Sequence, residues 1–427
     1  MPREIPIDNP GLLYHNSPMK RKIITISVLF LIGMAVFAQS TDLSFYTEEL
    51  NRTGGTFFDR LHVLENVRDL NLTGIGEFYH GALKTLLYKI PDIKNKEDWD
   101  ANENSARIAL QALAAEKYAP AAPEIWALIQ YFDIAHEVND GGAMQDGIIA
   151  LGNTGDQDYV YHIVLVLDDC NTHQTPDFES RRRIQRAASA CIISLEAMHA
   201  IDGYRPVFFA YIGWYDPSIR NMAHETLPRI VDDPAESIID IIRDNINNSN
   251  VKLRAWQEML RTNAPDSSKA KVAAVALEMG WKYPTSNTAL QRDSKLMRLS
   301  AIDTIRLLGV ADDSVYADLD RSYNNNFATN NPDFDEMFRV VDTLSAVKTD
   351  EAIALLVKFL TGLNERRRGG IWSDKERRSM QYIIRALGAT GTQAPEARMI
   401  LLTIQSSQEY TGAEQGWARD ALRQLGY

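Results

Sequence analysis

Apolar residues recur along the chain at helical spacing. Val160, Ile163, Val164 and Leu167 in DYVYHIVLVLDD fall at i, i+3, i+4 and i+7, on one face of a helix. Ile238, Ile239, Ile242 and Ile246 in AESIIDIIRDNI follow similar spacing, as do Ile353, Leu356, Val357 and Leu360 in EAIALLVKFLTGL. No run alternates apolar and polar residues with β-branched enrichment, so the pattern predicts an all-α chain with almost no strand. The aromatic run YRPVFFAYIGWY, 204–215, reads as helix core rather than as the floor of a groove.

The helices come at a period. Leu-Gly pairs that close apolar stretches place glycine at Gly152, Gly309, Gly388 and Gly426, and their spacings are multiples of about 39 residues. Two of the closures are nearly the same eight residues, ALGNTGDQ (150–157) and ALGATGTQ (386–393). The glycines there do not form a phosphate loop, which needs a preceding strand and a following Lys and Ser/Thr. They read as a helix ending at Leu-Gly, with Asp156 capping the next helix. A second ruler is an arginine near the start of successive helices: Arg107, Arg186, Arg220, Arg254, Arg298, Arg339, Arg378 and Arg419. Four residues earlier stand Glu103, Asp216, Asn250, Ser294, Asp335, Asp374 and Gln415, several of them types that cap helix N-termini; Arg182 breaks the rule before Arg186. Between Arg254 and Arg298 the stretch Gly280–Asp293 reads as an inserted loop.

DPSIRNMAHETL, which holds Asp216, and ALGNTGDQDYVYHIVLVL resemble HEAT repeats, including the HEAT-like variant whose Arg-bearing helix ends in Leu-Gly. The resemblance covers 56–427 and implies a HEAT-like α-solenoid of nine or ten stacked helix pairs. It also implies that the Arg-bearing helices line a concave side and that residues like Asp216 and Arg220 form a polar ladder between repeats. Asp146 departs from that pattern, standing where an arginine is expected. The physics agrees with the resemblance. One pair of about 39 residues cannot bury its apolar face alone, and stacking leaves an extended binding surface.

The first residues carry an address. The basic run Met19–Lys22 precedes sixteen apolar residues, Ile23–Ala38, and Val36-Phe-Ala38 suits a signal-peptidase site. The expectation is an upstream leader over 1–18, a signal peptide over 19–38 cut after Ala38, and a short linker or cap over 39–55. The chain would then be periplasmic or secreted, touching a membrane only through an uncleaved signal segment. The whole chain carries a formal charge of −12. Without 1–38 it holds 41 basic and 55 acidic side chains, which disfavours nucleic acid as a partner.

Candidate chemistry is sparse. His136-Glu137 and His224-Glu225 lack the second histidine of a zinc motif. DWDANEN, 98–104, lacks the glycine and the bidentate glutamate of a calcium loop and reads as a polar loop entering a helix at Ser105. No cofactor, metal or catalytic residue is expected. Two basic clusters stand out as candidate interaction sites: Arg181, Arg182 and Arg183, and Arg366, Arg367 and Arg368 with Trp372. The alternative for each is a solvated helix end. Cys170 and Cys191 either form a disulfide between neighbouring helices or stand as two buried thiols. These features favour a binding scaffold for proteins of the cell envelope, without catalysis. The second reading is an enzyme or small-ligand carrier with a site in the concave groove, as in the pigment-attaching lyases that some HEAT-like repeats resemble.

Overall fold

A computed structural model describes residues 43–132, 142–282, 287–329, 332–391 and 394–427. The leader, the signal peptide with its cut after Ala38, and His136-Glu137 lie outside the described residues. Every regular element among the described residues is helical. None of these helices is long and apolar enough to cross a membrane.

Contacts divide the chain into two compact units, Met1–Asp156 and Gln157–Tyr427, with the boundary inside the first of the two octapeptides. In the first unit, α1 (43–50) lies within 39–55, where a short linker or cap was expected. It is followed by α2 (Phe57–Asp69), α3 (Gly76–Lys89), α4 (Lys96–Glu116), α5 (Ala122–Tyr131) and α6 (Gly142–Thr154). Helices α2, α4 and α6 stack in one layer, and α3 and α5 in the other.

The second unit repeats this arrangement from α7 (Val160–Thr172) and α8 (Phe178–Ala197) through α9 (Tyr204–Ile212), α10 (Pro217–Ile230), α11 (Ala235–Arg243) and α12 (Ser249–Arg261). It continues with α13 (Asp266–Lys282), α14 (Thr288–Leu308), α15 (Val315–Ala328), α16 (Phe334–Val347), α17 (Asp350–Arg368), α18 (Asp374–Ala389), α19 (Pro395–Ser406) and α20 (Gly412–Gln424). The odd-numbered helices pack on one another in chain order. Among the even-numbered ones α8 packs on α10, α12 on α14, and each helix from α14 on the next as far as α20. This paired, two-layer stacking fits a HEAT-like repeat fold.

The core lies between the layers. Val160, Ile163 and Leu167 are buried as their spacing requires, as are Ile238, Ile239 and Ile242, and Ile353, Leu356 and Leu360. Each such side chain contributes roughly 1.5–3 kcal/mol by leaving water. Tyr204, Phe208 and Tyr215 are buried, so the aromatic run is largely core. Ile246 is not, because α11 stops at Arg243 and the isoleucine stands 92% exposed three residues beyond.

Several helix ends differ from expectation. In both octapeptides the helix runs through Leu-Gly: α6 ends at Thr154 and α18 at Ala389, and the left-handed residues are Gly155 (φ 70°) and Gly391 (φ 64°). Thr154 and Thr390 each donate a side-chain hydrogen bond to the leucine carbonyl three residues back, at 2.6 and 2.7 Å, and so finish the last turn. Gly309 and Gly426 are left-handed closures, as the Leu-Gly pattern predicts. A short 3₁₀ turn, Gln157–Tyr159, follows Asp156 and leads into α7, where Tyr159 makes no side-chain cap bond. Gly280–Lys282 complete α13 and Thr288–Asp293 begin α14, so most of the expected inserted loop is extra helix. Asn287 starts that helix by accepting from the backbone N–H groups of Ala289 and Leu290. DWDANEN is helical throughout, because Asn95 caps α4, which begins at Lys96, nine residues before the expected start.

Candidate functional site

The arginine ruler marks the even-numbered layer. Arg107 lies on α4, Arg186 on α8, Arg220 on α10, Arg254 on α12, Arg298 on α14, Arg339 on α16, Arg378 on α18 and Arg419 on α20. The caps expected four residues earlier are displaced: Asn248, Asn287, Asp333, Ser373 and Thr411 do the capping. The ladder is also built from other residues than expected. Asp216 makes no side-chain cap bond, and the Arg220 Nε is buried without a hydrogen-bond partner among the described residues. Instead Arg107 Nε donates to Asp146 at 2.8 Å, so the departing position supplies a rung. Arg298 grips buried Glu336 through two bonds, 3.0 and 3.2 Å, donates to the Gly280 carbonyl and lies 3.9 Å from the Trp281 ring centre. A Cβ on Gly280 would stand 2.4 Å from Arg298 Cγ, so that glycine makes room for the arginine. Arg339 pairs with Asp303 of α14.

The two basic clusters are held by their own chain. Arg181 donates to the Thr175 carbonyl, Arg182 pairs with Glu179 and Arg183 donates to Ser180 Oγ, all near the start of α8 rather than at a C-terminal end. Arg366, Arg367 and Arg368 do form the last turn of α17, where cations suit the helix dipole. Arg366 donates to Glu376 Oε1 at 2.9 and 3.2 Å, and Arg367 to Glu414 Oε1 at 2.7 Å. Both glutamates are almost fully buried and close capping boxes with Ser373 and Thr411. Burial works to raise the pKa of each. Bonds from Ser373 and Arg366 at Glu376, and from Arg367 and Thr411 at Glu414, outweigh it and hold both below the ordinary glutamate value. Trp372 lies over Arg367, 4.6 Å from ring centre to guanidinium.

Cys170 and Cys191 are buried thiols with no disulfide between them. Burial, with Cys170 nearby, pushes the Cys191 thiol up. His224 stacks on Tyr211 and approaches Glu258 at 3.4 Å. Burial lowers the histidine pKa and raises the glutamate pKa, so each shifts toward its uncharged form. No group of three or more potential metal ligands occurs among the described residues.

Across α14, α16 and α18 lies a cleft of about 540 Å³, lined by Arg306, Asp342, Ser345, Lys348, Tyr382 and Arg385 among others. Three cations face one carboxylate there, in a chain of net charge −12. Arg385 is exposed, and among the described residues it makes no bond to a carboxylate and Arg306 pairs only with Asp303 on its own helix, at 3.5 Å. The Tyr382 hydroxyl donates to Asp342 Oδ2 at 3.0 Å, and its ring stacks on Phe338 with centroids 4.1 Å apart. Burial and the Asp342 carboxylate push the Tyr382 pKa up to about 12, against a smaller lowering by Arg306. The tyrosine is therefore a neutral donor at physiological pH. The sequence reading singled out none of these residues. Their signal is the repeat register itself: Asp303, Asp342 and Tyr382 stand 39 and 40 residues apart, as do Arg306, Ser345 and Arg385.

No family model matches the chain, and no curated protein matches it. Among solved structures the chain is similar to human deoxyhypusine hydroxylase in complex with glycerol. The two are 13% identical, the match covers 83% of this chain and 98% of that one, and the TM-score is 0.26. The expectation of a scaffold without catalysis is corrected here. It rested on the lack of catalytic motifs in the sequence and on the extended surface of a repeat array, and the matched protein is an enzyme. The TM-score is too low for the likeness to carry anything about this chain's own chemistry.

Proposed function

We propose that this chain is a HEAT-like α-solenoid that takes a small anionic ligand in the cleft across α14, α16 and α18. It acts there as a ligand carrier or as an enzyme that moves a proton. The observation that carries the reading is the convergence of Arg306, Lys348 and Arg385 on a cleft holding one carboxylate. Guanidinium forks bind carboxylate or phosphate oxygens through two parallel bonds, which fixes orientation as well as supplying charge. The Tyr382 hydroxyl donates its one proton to Asp342, so a ligand bound beside the pair meets a phenol oxygen that accepts, with a carboxylate behind it that can take up a proton. The volume suits a ligand of metabolite size.

Thermal-shift measurements against a panel of small carboxylates and phosphate esters test the reading. At least one compound is expected to raise Tm with saturation, and Arg385→Ala is expected to weaken that binding about tenfold or more. Arg385 is exposed and makes no ion pair among the described residues, so its loss should leave the fold intact. Absence of a saturable shift across the panel overturns the reading, as does equal binding by Arg385→Ala.

A further inference from the structure

A separate cleft, of about 720 Å³, opens between the first turns of α18 and α20. Trp372 and Trp417 line it together with Asp374, Arg377, Arg378 and Gln381. Trp372 is braced by a neighbour that also lines the cleft. The Arg367 guanidinium lies 4.6 Å from its ring centre and 4.8 Å from that of Tyr410, and Glu414 and the Glu409 carbonyl fix the same guanidinium. An indole braced in this way loses little further freedom when a ligand stacks on it.

Arg367, Ser373, Thr411 and Glu414 also line the cleft and are already bonded within the chain, whereas four further donors are not. Neither indole N–H of Trp372 and Trp417 is hydrogen-bonded among the described residues, nor is the Gln381 amide, and Arg378 has no carboxylate partner there. Arg377 donates to Asp374 at 3.0 Å with both side chains exposed. That pair sets a donor beside an acceptor, which matches a hydroxyl, since a hydroxyl both donates and accepts. A bare phosphate or carboxylate needs donors only. Flat indole faces match the apolar face of a sugar ring, and the guanidinium of Arg378 matches an anionic substituent on it.

We infer that the cleft between α18 and α20 binds a short acidic saccharide. The indoles of Trp372 and Trp417 carry the sugar rings, Gln381 and the Arg377–Asp374 pair meet ring hydroxyls, and Arg378 pairs with a carboxylate. This site shares no lining residue with the cleft across α14, α16 and α18.

Tryptophan fluorescence of the full chain, titrated with trigalacturonate and with neutral galactotriose, tests the inference. The acidic trimer is expected to give a saturable change, and the neutral one to bind about tenfold more weakly. Trp417→Ala should abolish the response. Arg378→Ala should bring the acidic trimer down to the neutral one, and unchanged helical circular dichroism would show that both variants fold. Arg385→Ala should bind the saccharide like the parent, so failure at one cleft reads apart from failure at the other. The inference is overturned by no saturable response up to about 10 mM. It is equally overturned by an acidic-to-neutral ratio that survives Arg378→Ala, or by an acidic peptide that binds where both saccharides are silent.

Discussion

Glu376 and Glu414 show how single residues tie this chain together. Each occupies the third position of an even-numbered helix, closes a capping box, is 1% exposed and receives an arginine from the end of α17. A buried carboxylate is tolerated only with such partners, because an unpaired one would revert to its neutral form. Their depressed pKa values set a direction. A group titrating lower in the folded chain adds stability above its unfolded pKa and loses it as pH falls through the folded value. Glu414→Gln keeps the shape but removes the charge that Arg367 meets. It is expected to cost about 1–3 kcal/mol at neutral pH in chemical denaturation, and to flatten the loss of stability below roughly pH 4.5. An acid-unfolding curve parallel to the parent's would show that the pair does not act this way. Trp372 and Arg366–Arg368 stand out in the sequence as a basic, aromatic cluster. The partners that occupy Arg366 and Arg367 lie ten and forty-seven residues away, where no local pattern points to them.

Helix ends show what local signals carry and where packing takes over. The octapeptide recurs because its last turn recurs: a Thr hydroxyl finishes the helix and the second glycine reverses the chain. Spacing alone places the stop at Leu-Gly, yet Gly388 is buried inside α18 for a tertiary reason. A Cβ there would lie 2.8 Å from Ala421 Cα and 2.4 Å from Gln424 Oε1 of α20. Gly388→Ala should therefore cost roughly 1–3 kcal/mol through the backbone shift it forces, read as a lower denaturation midpoint. Parent-like stability would mean that α18 and α20 are not in such close contact. The same division runs through the fold. Amphipathic faces such as Ile238–Ile242 are legible because burial follows periodicity, whereas the start of α4 at Asn95 and the lengthened α14 hang on cap residues that the arginine ruler passes over.

On the scale of the whole molecule, the repeat period is the strongest signal in the sequence, and it places the arginine stations on even-numbered helices in both units. The candidate site was not legible in the same way. Arg306, Asp342, Tyr382 and Arg385 look like ordinary surface residues one period apart, and only the stacking of α14, α16 and α18 sets them beside one another. Charge at such a site is concentrated against an acidic background, which makes a small anion the natural occupant. Hydrogen exchange with and without the tightest-binding compound of the carboxylate and phosphate panel tests this claim most directly. Slowed exchange is expected in the peptides that carry Arg306, 342–348 and 382–389, and in no peptide of α1–α6. Protection confined to other helices, with these three peptides unchanged, would contradict it.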